Sequence, residues 1–176
     1  MEKYGYRFSF GPWNIHEGAD PFGPAVRPER TFAEKLKIYQ ELGFDAVQFH
    51  DDDAVPGLDD LSPARISERA RAVKRLLSDH GLVAEFVAPR LWESPRTIDG
   101  AYTSNNPQER AYAIERSKKA VDIAAELGTD LMVLWLAREG TYLRESKDPV
   151  ATTHWLLQAI DSLLDYSPGL RIAIEP

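Results

Sequence analysis

Cysteine is absent from the 176 residues, which excludes disulfide bonds, thiol nucleophiles and thiolate metal sites. A metal ion would therefore have to be held by carboxylate, imidazole, carbonyl or water ligands. Long apolar runs are also missing, since none approaches the roughly 20 residues needed to span a bilayer. The opening residues MEKYGYRFSFG lack the basic and apolar regions of a secretory signal. We therefore expect a cytoplasmic protein with no membrane partner.

The chain has no excess of positive charge, because 21 lysines and arginines face 28 aspartates and glutamates, a net charge of -7. Proteins that track nucleic-acid phosphates carry basic patches. The acidic balance therefore argues against a nucleic-acid partner.

Short apolar runs alternate with amphipathic segments along the whole chain. Runs rich in Val, Ile, Phe or Leu suit strands that are buried on both faces of a parallel sheet. The predicted strands are Arg7 to Gly11, Ala46 to His50, Val83 to Ala88, Asp130 to Leu136 and Arg171 to Glu175. The predicted helices are Thr31 to Leu42, Ser62 to His80, Pro107 to Leu127 and a fourth that follows Asp148-Pro149.

This rhythm of βα units is typical of the doubly wound open sheet and of the (β/α)8 TIM barrel. The residues after the first strand, Gly11-Pro12-Trp13-Asn14, do not form a glycine-rich phosphate loop, which favours the barrel. A full barrel takes about 250 residues and eight strands. We therefore predict an α/β fold in which residues 1–176 supply a partial barrel of about five parallel strands and four helices, without the carboxy-terminal half.

Residues whose side chains can bind a ligand or catalyse a reaction fall where the predicted strands end. In a barrel, the carboxyl ends of the strands form the face that carries function. They are Trp13, His50 with Asp51 to Asp53, Arg90 with Trp92, Trp135, and Glu175. Aromatic walls pack against the apolar faces of sugars, and a histidine beside a carboxylate is a common acid/base pair. Carboxylates also suit hard cations such as Mg²⁺ or Mn²⁺. The pattern indicates a polyol or sugar site.

Five motifs, in order along the chain, resemble the xylose isomerases of the actinobacterial type. They are Arg7 to Trp13 (R-F-T-F-G-x-W in the family), Asp20 to Gly23 (D-P-F-G), Phe49 to Asp53 (F-H-D-D-D), Trp135 to Gly140 (W-x-x-R-E-G) and Arg171 to Pro176 (R-F-A-I-E-P). They span essentially the whole chain. The resemblance implies a xylose isomerase-like TIM barrel, of which this chain is the amino-terminal part.

The resemblance also implies a role for each matching residue. His50 would assist opening of the cyclic sugar, with Asp53 orienting it, and Trp13 and Trp135 would line the pocket. Trp92 stands where the family motif N-L-F-T-H-P has phenylalanine, so the preferred sugar is open. Glu175 would be a ligand of the structural metal.

The implied reaction is interconversion of an aldose and a ketose by a hydride shift, with two divalent cations (Mg²⁺, Mn²⁺ or Co²⁺) and no organic cofactor. The implied partners are a small-molecule sugar and further copies of the protein, as a tetramer or dimer. Because the remaining metal ligands would lie beyond residue 176, we expect no isomerase activity from these residues alone.

Several alternatives stay open on the sequence alone. His50 and the tryptophans also suit a purely structural core, Glu175 a salt bridge, and Asp51 and Asp52 solvated turn residues or supports of the site. Arg138 and Glu139 suit a structural ion pair. The protein could instead be another sugar isomerase, epimerase or dehydratase of the same superfamily, or a non-catalytic half-barrel that binds or assembles.

Overall fold

Five strands form one parallel sheet in the computed structural model, which describes residues 5–19 and 22–176. They are β1 (Ser9–Phe10), β2 (Ala46–His50), β3 (Val83–Ala88), β4 (Leu131–Trp135) and β5 (Arg171–Glu175). Each strand pairs with the next one in the sequence, in the order β1-β2-β3-β4-β5. A doubly wound sheet would reverse direction at a switch point, so this order confirms the prediction of a partial barrel.

The helices connect successive strands. They are α1 (Phe32–Leu42), a single turn α2 (Asp51–Ala54), α3 (Pro63–Asp79), α4 (Pro107–Leu127) and α5 (Pro149–Tyr166), with short 3₁₀ turns at Pro12–Asn14, Leu58–Asp60, Pro95–Thr97 and Arg144–Ser146. The four long helices match the four that were predicted. The turn α2, which winds directly out of β2, was not foreseen.

Local sequence signals explain most helix ends. Thr31 and Glu34 form the predicted capping box at the start of α1, and Gly43 ends that helix at a positive φ of 78°. Ser62 precedes α3 as expected, but its side chain makes no capping hydrogen bond, and Pro63 at the first helical position marks the start instead.

The hydrophobic core lies between the sheet and the layer of helices. Val47 and Phe49 of β2 and Met132 and Leu134 of β4 are at most 1% exposed and face α1, α3, α4 and α5. Because side chains alternate along a strand, Gln48, His50, Val133 and Trp135 occupy the opposite face. That inner face is partly polar.

Three polar side chains join β1, β2 and β3 on the inner face. Gln48 donates to Ser9 Oγ at 2.8 Å and to Glu85 Oε2 at 3.2 Å, and Ser9 hydrogen-bonds the same carboxylate. A cavity of about 910 Å³ opens nearby, at the amino-terminal ends of the strands. This is the end of a barrel that contributes stability, whereas chemistry belongs to the carboxyl ends.

Two strands are shorter than predicted: β1 keeps only Ser9 and Phe10, and β4 loses Asp130 and Leu136 at its ends.

The motif that begins at Asp20 and Pro21 lies partly outside the described residues, so its role stays a prediction. In the described part of the chain, no helix combines the length and apolarity required to cross a bilayer.

Candidate active site

The carboxyl end of β2 places a histidine and a carboxylate in contact. The chain passes from β2 into α2 at Asp51, and one turn of helix brings Asp53 back beside His50. Asp53 Oδ2 accepts the backbone N–H of His50 at 3.1 Å and lies 3.0 Å from His50 Nδ1. The His50 and Asp53 side chains are 12% and 20% exposed. The sequence-predicted pair therefore forms, in a setting largely shielded from water.

Arg90, which follows β3, completes this cluster. Its Nη2 lies 2.7 Å from His50 Nδ1 and donates to Asp53 Oδ1 at 2.9 Å. Its Nε donates to Asp52 Oδ1 at 2.8 Å, and its Nη1 donates to Glu93 Oε1 at 3.1 Å. Sequence reasoning placed Arg90 at the mouth of the barrel but gave it no role. Its position after a strand end was the available signal.

His50 lies in a row of four aromatic rings, Trp13, His50, Trp92 and Trp135, each in contact with the next. The ring centroid of Trp13 lies 4.2 Å from that of His50, and His50 lies 5.0 Å from Trp92. Trp92 in turn meets Trp135 edge-on, with centroids 4.3 Å apart. Trp135 remains 41% exposed. Trp13 and Trp92 follow β1 and β3, whereas His50 and Trp135 are the last residues of β2 and β4. The structure thus brings together all three predicted tryptophans with the histidine.

Glu175 ends β5 beside this row, since its Cα is the strand partner of Trp135. The side chain is exposed. Over residues 5–19 and 22–176, no three His, Asp or Glu side chains are placed to hold a metal ion together. The described residues therefore supply one candidate carboxylate ligand and do not make up a metal site among themselves.

A buried ion pair supports the floor of the site. Asp51 is fully buried, and its carboxylate accepts Arg116 Nε at 2.8 Å and Nη2 at 3.0 Å. It also accepts the backbone N–H groups of Arg90 and Asp52 at 3.0 and 2.9 Å. The possibility that Asp51 is a solvated turn residue was therefore wrong. Its four hydrogen bonds hold α2 in place and fix the backbone at Arg90, two residues before Trp92.

Arg116 reaches this carboxylate from the middle of α4. Burial by itself would lower the pKa of Arg116, but its hydrogen bonds and proximity to Asp51 reverse that effect and raise the pKa. Burial raises the pKa of Asp51, and the contacts with Arg116 oppose the rise only in part. A cation buried in the helix layer was not foreseen, because arginine is normally exposed.

Glu139 ties two loops of the same face together. Its carboxylate accepts the backbone N–H groups of Ala101, Tyr102 and Thr103 at 2.8 to 3.1 Å, and the Thr103 hydroxyl at 2.6 Å. Its neighbour Arg138 instead donates from Nε to the carbonyl of Trp92 at 3.2 Å. The alternative of an ion pair between Arg138 and Glu139 is therefore not what the structure shows: Glu139 binds the loop of residues 101–103, and Arg138 binds the Trp92 carbonyl.

Most of the chain matches the sequence pattern of a known family: residues 36–176 match the xylose isomerase-like TIM barrel family. The chain belongs to that family. A xylose isomerase from Thermus thermophilus is 34% identical over 97% of this chain and 45% of its own length. The chain thus spans about half the length of this relative.

Solved structures show the same barrel architecture. The 3-keto-D-glucoside 4-epimerase from E. coli superposes with a TM-score of 0.62 at 15% identity, over 90% of this chain and 54% of that one. A xylose isomerase-like TIM barrel protein from Mycobacterium smegmatis, in complex with magnesium, gives a TM-score of 0.56 at 17% identity over 97% and 55%. These likenesses show a shared fold, and the family match identifies that fold as the xylose isomerase-like barrel.

The charge state of Asp53 leads to a prediction on how the stability of the fold depends on pH. Burial alone would raise the pKa of Asp53, but the hydrogen bond with His50 and the charge of Arg90 hold it below its ordinary value. A carboxylate with a lowered folded-state pKa stabilises the fold above its unfolded pKa of about 3.9 and loses that contribution as pH falls through the folded value. Asp53→Asn should therefore lower the melting temperature at pH 7, and the difference should shrink towards pH 3.

Thermal unfolding of both proteins between pH 7 and pH 3 measures this. Asp165→Asn, at an exposed position near the end of α5, serves as the control and should follow the parent protein throughout. A difference between Asp53→Asn and the parent that stays constant with pH would show that the charge of Asp53 does not stabilise the fold.

Trp13 rests directly on Gly11, which limits what that position tolerates. A Cβ atom at Gly11 would lie 2.2 Å from Trp13 Cζ2 and 2.3 Å from Cε2, far inside contact distance of a rigid indole. Gly11→Ala should therefore push Trp13 away from His50, at a cost of about 1–3 kcal/mol in unfolding free energy. Thermal unfolding and tryptophan fluorescence report the two effects.

The matched control is Gly140→Ala, because a Cβ atom there meets nothing within 4 Å. Gly140→Ala should leave both the melting temperature and the emission spectrum close to those of the parent protein. Equal behaviour of the two alanine variants would mean that Trp13 does not lie against Gly11.

Proposed function

We propose that residues 1–176 form the amino-terminal part of the barrel of a metal-dependent aldose–ketose isomerase of the xylose isomerase type. The observation that carries this proposal is the placement of His50 and Asp53 within a row of three tryptophans at the carboxyl ends of the strands. The 34% identity to a xylose isomerase supports it. The natural substrate is proposed to be a small aldose.

His50 is proposed to assist opening of the sugar ring. Its Nδ1 is engaged by Asp53 and Arg90, which leaves Nε2 to hydrogen-bond an oxygen of the cyclic sugar. A side chain that takes part in proton transfer must reach the reacting oxygen directly, and its orientation must be held by a second group. Asp53 supplies that orientation through both its contact with Nδ1 and its bond to the His50 backbone N–H.

Trp13, Trp92 and Trp135 are proposed to bind the sugar and to exclude water from it. Their rings offer flat apolar surfaces, and the C–H faces of a sugar pack well against such surfaces. The partial exposure of Trp135 leaves one end of the row open to an entering ligand. A pocket of this kind holds a neutral polyol without needing a charged partner.

Divalent cations belong to this proposal, with Glu175 as the ligand that these residues contribute. Such cations act as Lewis acids on the oxygens of the open sugar when they are bound. Carboxylate oxygen suits Mg²⁺ or Mn²⁺, but a single ligand does not hold either ion. Activity is therefore proposed for the protein that contains the whole barrel, as an assembly of several copies, and not for residues 1–176 alone.

Incubating the whole protein with D-xylose or D-glucose and Mg²⁺ or Mn²⁺ tests this function. The expected result is the corresponding ketose, detected by chromatography. Performing the reaction in D₂O sharpens it: a hydride shift keeps the migrating hydrogen, so the ketose should carry no solvent deuterium at C1. Absence of ketose with both sugars and both metals, from a protein that is correctly folded, would refute the proposal.

Trp92 favours a second candidate, an isomerase or epimerase that acts on another sugar. An indole in place of the phenylalanine found in the family motif narrows the pocket and changes which sugar fits. Trp92→Phe should then shift the ratio of kcat/KM towards xylose. An epimeric aldose or ketose that contains solvent deuterium, in place of the ketose without it, would identify this alternative.

A further inference from the structure

Trp13 lies beyond the hydrogen-bonded ladder that holds β1 in the sheet. That ladder joins β1 to β2 over two residue pairs only, and Trp13 follows it in the 3₁₀ turn Pro12–Asn14. Pro12 has no N–H group to offer to a neighbouring strand. The position of the indole, 4.2 Å from the His50 ring, therefore depends on contacts other than strand pairing.

Two side chains of α1 donate hydrogen bonds to the carbonyl groups that precede Trp13. The Tyr39 hydroxyl donates to the Gly11 carbonyl at 3.1 Å, and Lys35 Nζ donates to the Pro12 carbonyl at 2.9 Å. The two donors are four positions apart in the sequence, so they lie on one face of the helix. Because they bind two consecutive carbonyl groups, they fix both the place and the direction of the chain at this point.

The same two carbonyls also close the turn that carries Trp13. The Gly11 oxygen accepts the Asn14 N–H at 3.0 Å, and the Pro12 oxygen accepts the Ile15 N–H at 3.3 Å. A carbonyl oxygen has two lone pairs, so each can accept one bond from the turn and one from α1. The side chains of α1 are therefore joined directly to the hydrogen bonds that shape the turn.

A displacement of Gly11 is passed on to the indole, because the Trp13 ring fills the space where a Cβ atom of Gly11 would lie. The indole thus rests on the residue whose carbonyl Tyr39 binds. Tyr39 is fully buried and packs edge-on against Phe10, with ring centroids 5.4 Å apart, so its hydroxyl is held in place. Burial, together with the negative charge of Asp53, raises the pKa of Tyr39, and the hydroxyl therefore remains a donor at ordinary pH.

We infer that Tyr39 and Lys35 are positioning residues that hold Trp13 against His50 from the helix layer, and that they set the affinity for the sugar through Trp13. This inference deepens the proposed function, on which its relevance to sugar binding rests. A wall residue contacts the sugar both before and during the reaction. A displaced Trp13 therefore weakens binding and leaves the chemical step at its normal rate.

Fluorine NMR of the whole protein labelled with 5-fluorotryptophan tests the position of Trp13 directly. Trp13→Phe assigns the signal by removing it. Tyr39→Phe deletes the hydroxyl and keeps the buried ring, so the Trp13 signal should move because the Gly11 carbonyl is released. Tyr166→Phe is the matched control: the Tyr166 hydroxyl bonds Asp122, the residue is 46% exposed, and the Trp13 signal should stay in place.

Steady-state kinetics of the whole protein with D-xylose give the second measurement. In Tyr39→Phe, KM should rise about 3–10-fold, as expected for one lost hydrogen bond, while kcat stays within about twofold. A tyrosine that served only the core would lower the melting temperature and leave KM as in the parent protein. An unmoved Trp13 signal, or an unchanged KM, would overturn the inference for Tyr39.

Lys35→Met tests the second contact and replaces Tyr39→Phe if that variant does not fold. Methionine keeps an apolar stem but cannot donate to the Pro12 carbonyl, so the Trp13 signal should move and KM should rise. Lys37→Met is its control, because Lys37 is 73% exposed and pairs with Glu41. A Trp13 signal that is the same in Lys35→Met and in Lys37→Met would overturn the inference for Lys35.

The two proposals fail separately in these experiments. A Trp13 signal that moves in Tyr39→Phe, in a protein that forms no ketose, would uphold the positioning of Trp13 and refute the proposed function. Ketose formation together with an unmoved Trp13 signal would do the reverse.

Discussion

Replacing Arg116 with methionine is expected to lower the free energy of unfolding by about 3–5 kcal/mol, the typical cost of breaking a buried ion pair. The reason is that Asp51 is fully buried and would lose both hydrogen bonds from the guanidinium group. The remaining backbone N–H partners of Asp51 do not neutralise its charge. Denaturant unfolding, followed by circular dichroism, measures the change.

Two further variants make the interpretation specific. Arg71→Met removes an ion pair to Glu126 in which the side chains are 52% and 30% exposed, so its effect should stay within about 1 kcal/mol. Combining Arg116→Met with Asp51→Asn removes the unpaired charge but keeps an acceptor for the backbone, and should recover part of the loss. Equal stability of Arg116→Met and Arg71→Met would contradict the assignment of a buried pair.

Replacing His50 with asparagine is expected to reduce kcat/KM for a cyclic aldose by about 10²–10⁴-fold, the range of an acid/base contribution. Asparagine is similar in polarity but lacks the imidazole that the proposed function places against the sugar oxygen. The loss should be smaller when the substrate is supplied as an open-chain aldose, because the step that His50 assists has then already occurred. Initial rates with both kinds of substrate measure this.

His154→Gln is the matched control for that experiment. His154 is exposed on α5 and is not among the residues that form the site, so its replacement should leave the rate close to that of the parent protein. A His50→Asn enzyme that retains the parent rate with cyclic sugar would assign His50 a structural role, the alternative that the sequence left open.

Local patterns were sufficient to predict the strands, the four long helices and their order. The capping box of Thr31 and Glu34, and the glycines that end α1 and α4, act within a few residues of one another, so they can be read directly. The exception was α2, because a single helical turn is too short to show a 3.6-residue periodicity.

Long-range polar contacts were the part that the sequence did not reveal. Arg116 and Asp51 are 65 positions apart in the sequence. Helical periodicity alone does not tell whether the face of α4 that carries Arg116 is buried or exposed to solvent. The positions of His50, Trp92 and Trp135 at strand ends were predictable, but their mutual distances depend on strand register. The bond between Arg90 and His50 depends on both and was therefore missed.

The sequential pairing of the strands has a consequence for synthesis of the protein. Contacts between units that follow one another in the chain form without closing long loops, so they are quick to establish. The row from Trp13 to Trp135 uses only β1 to β4 and the segments that directly follow them. Its members are therefore all synthesised before the first residue of β5, and the row can assemble without waiting for that strand.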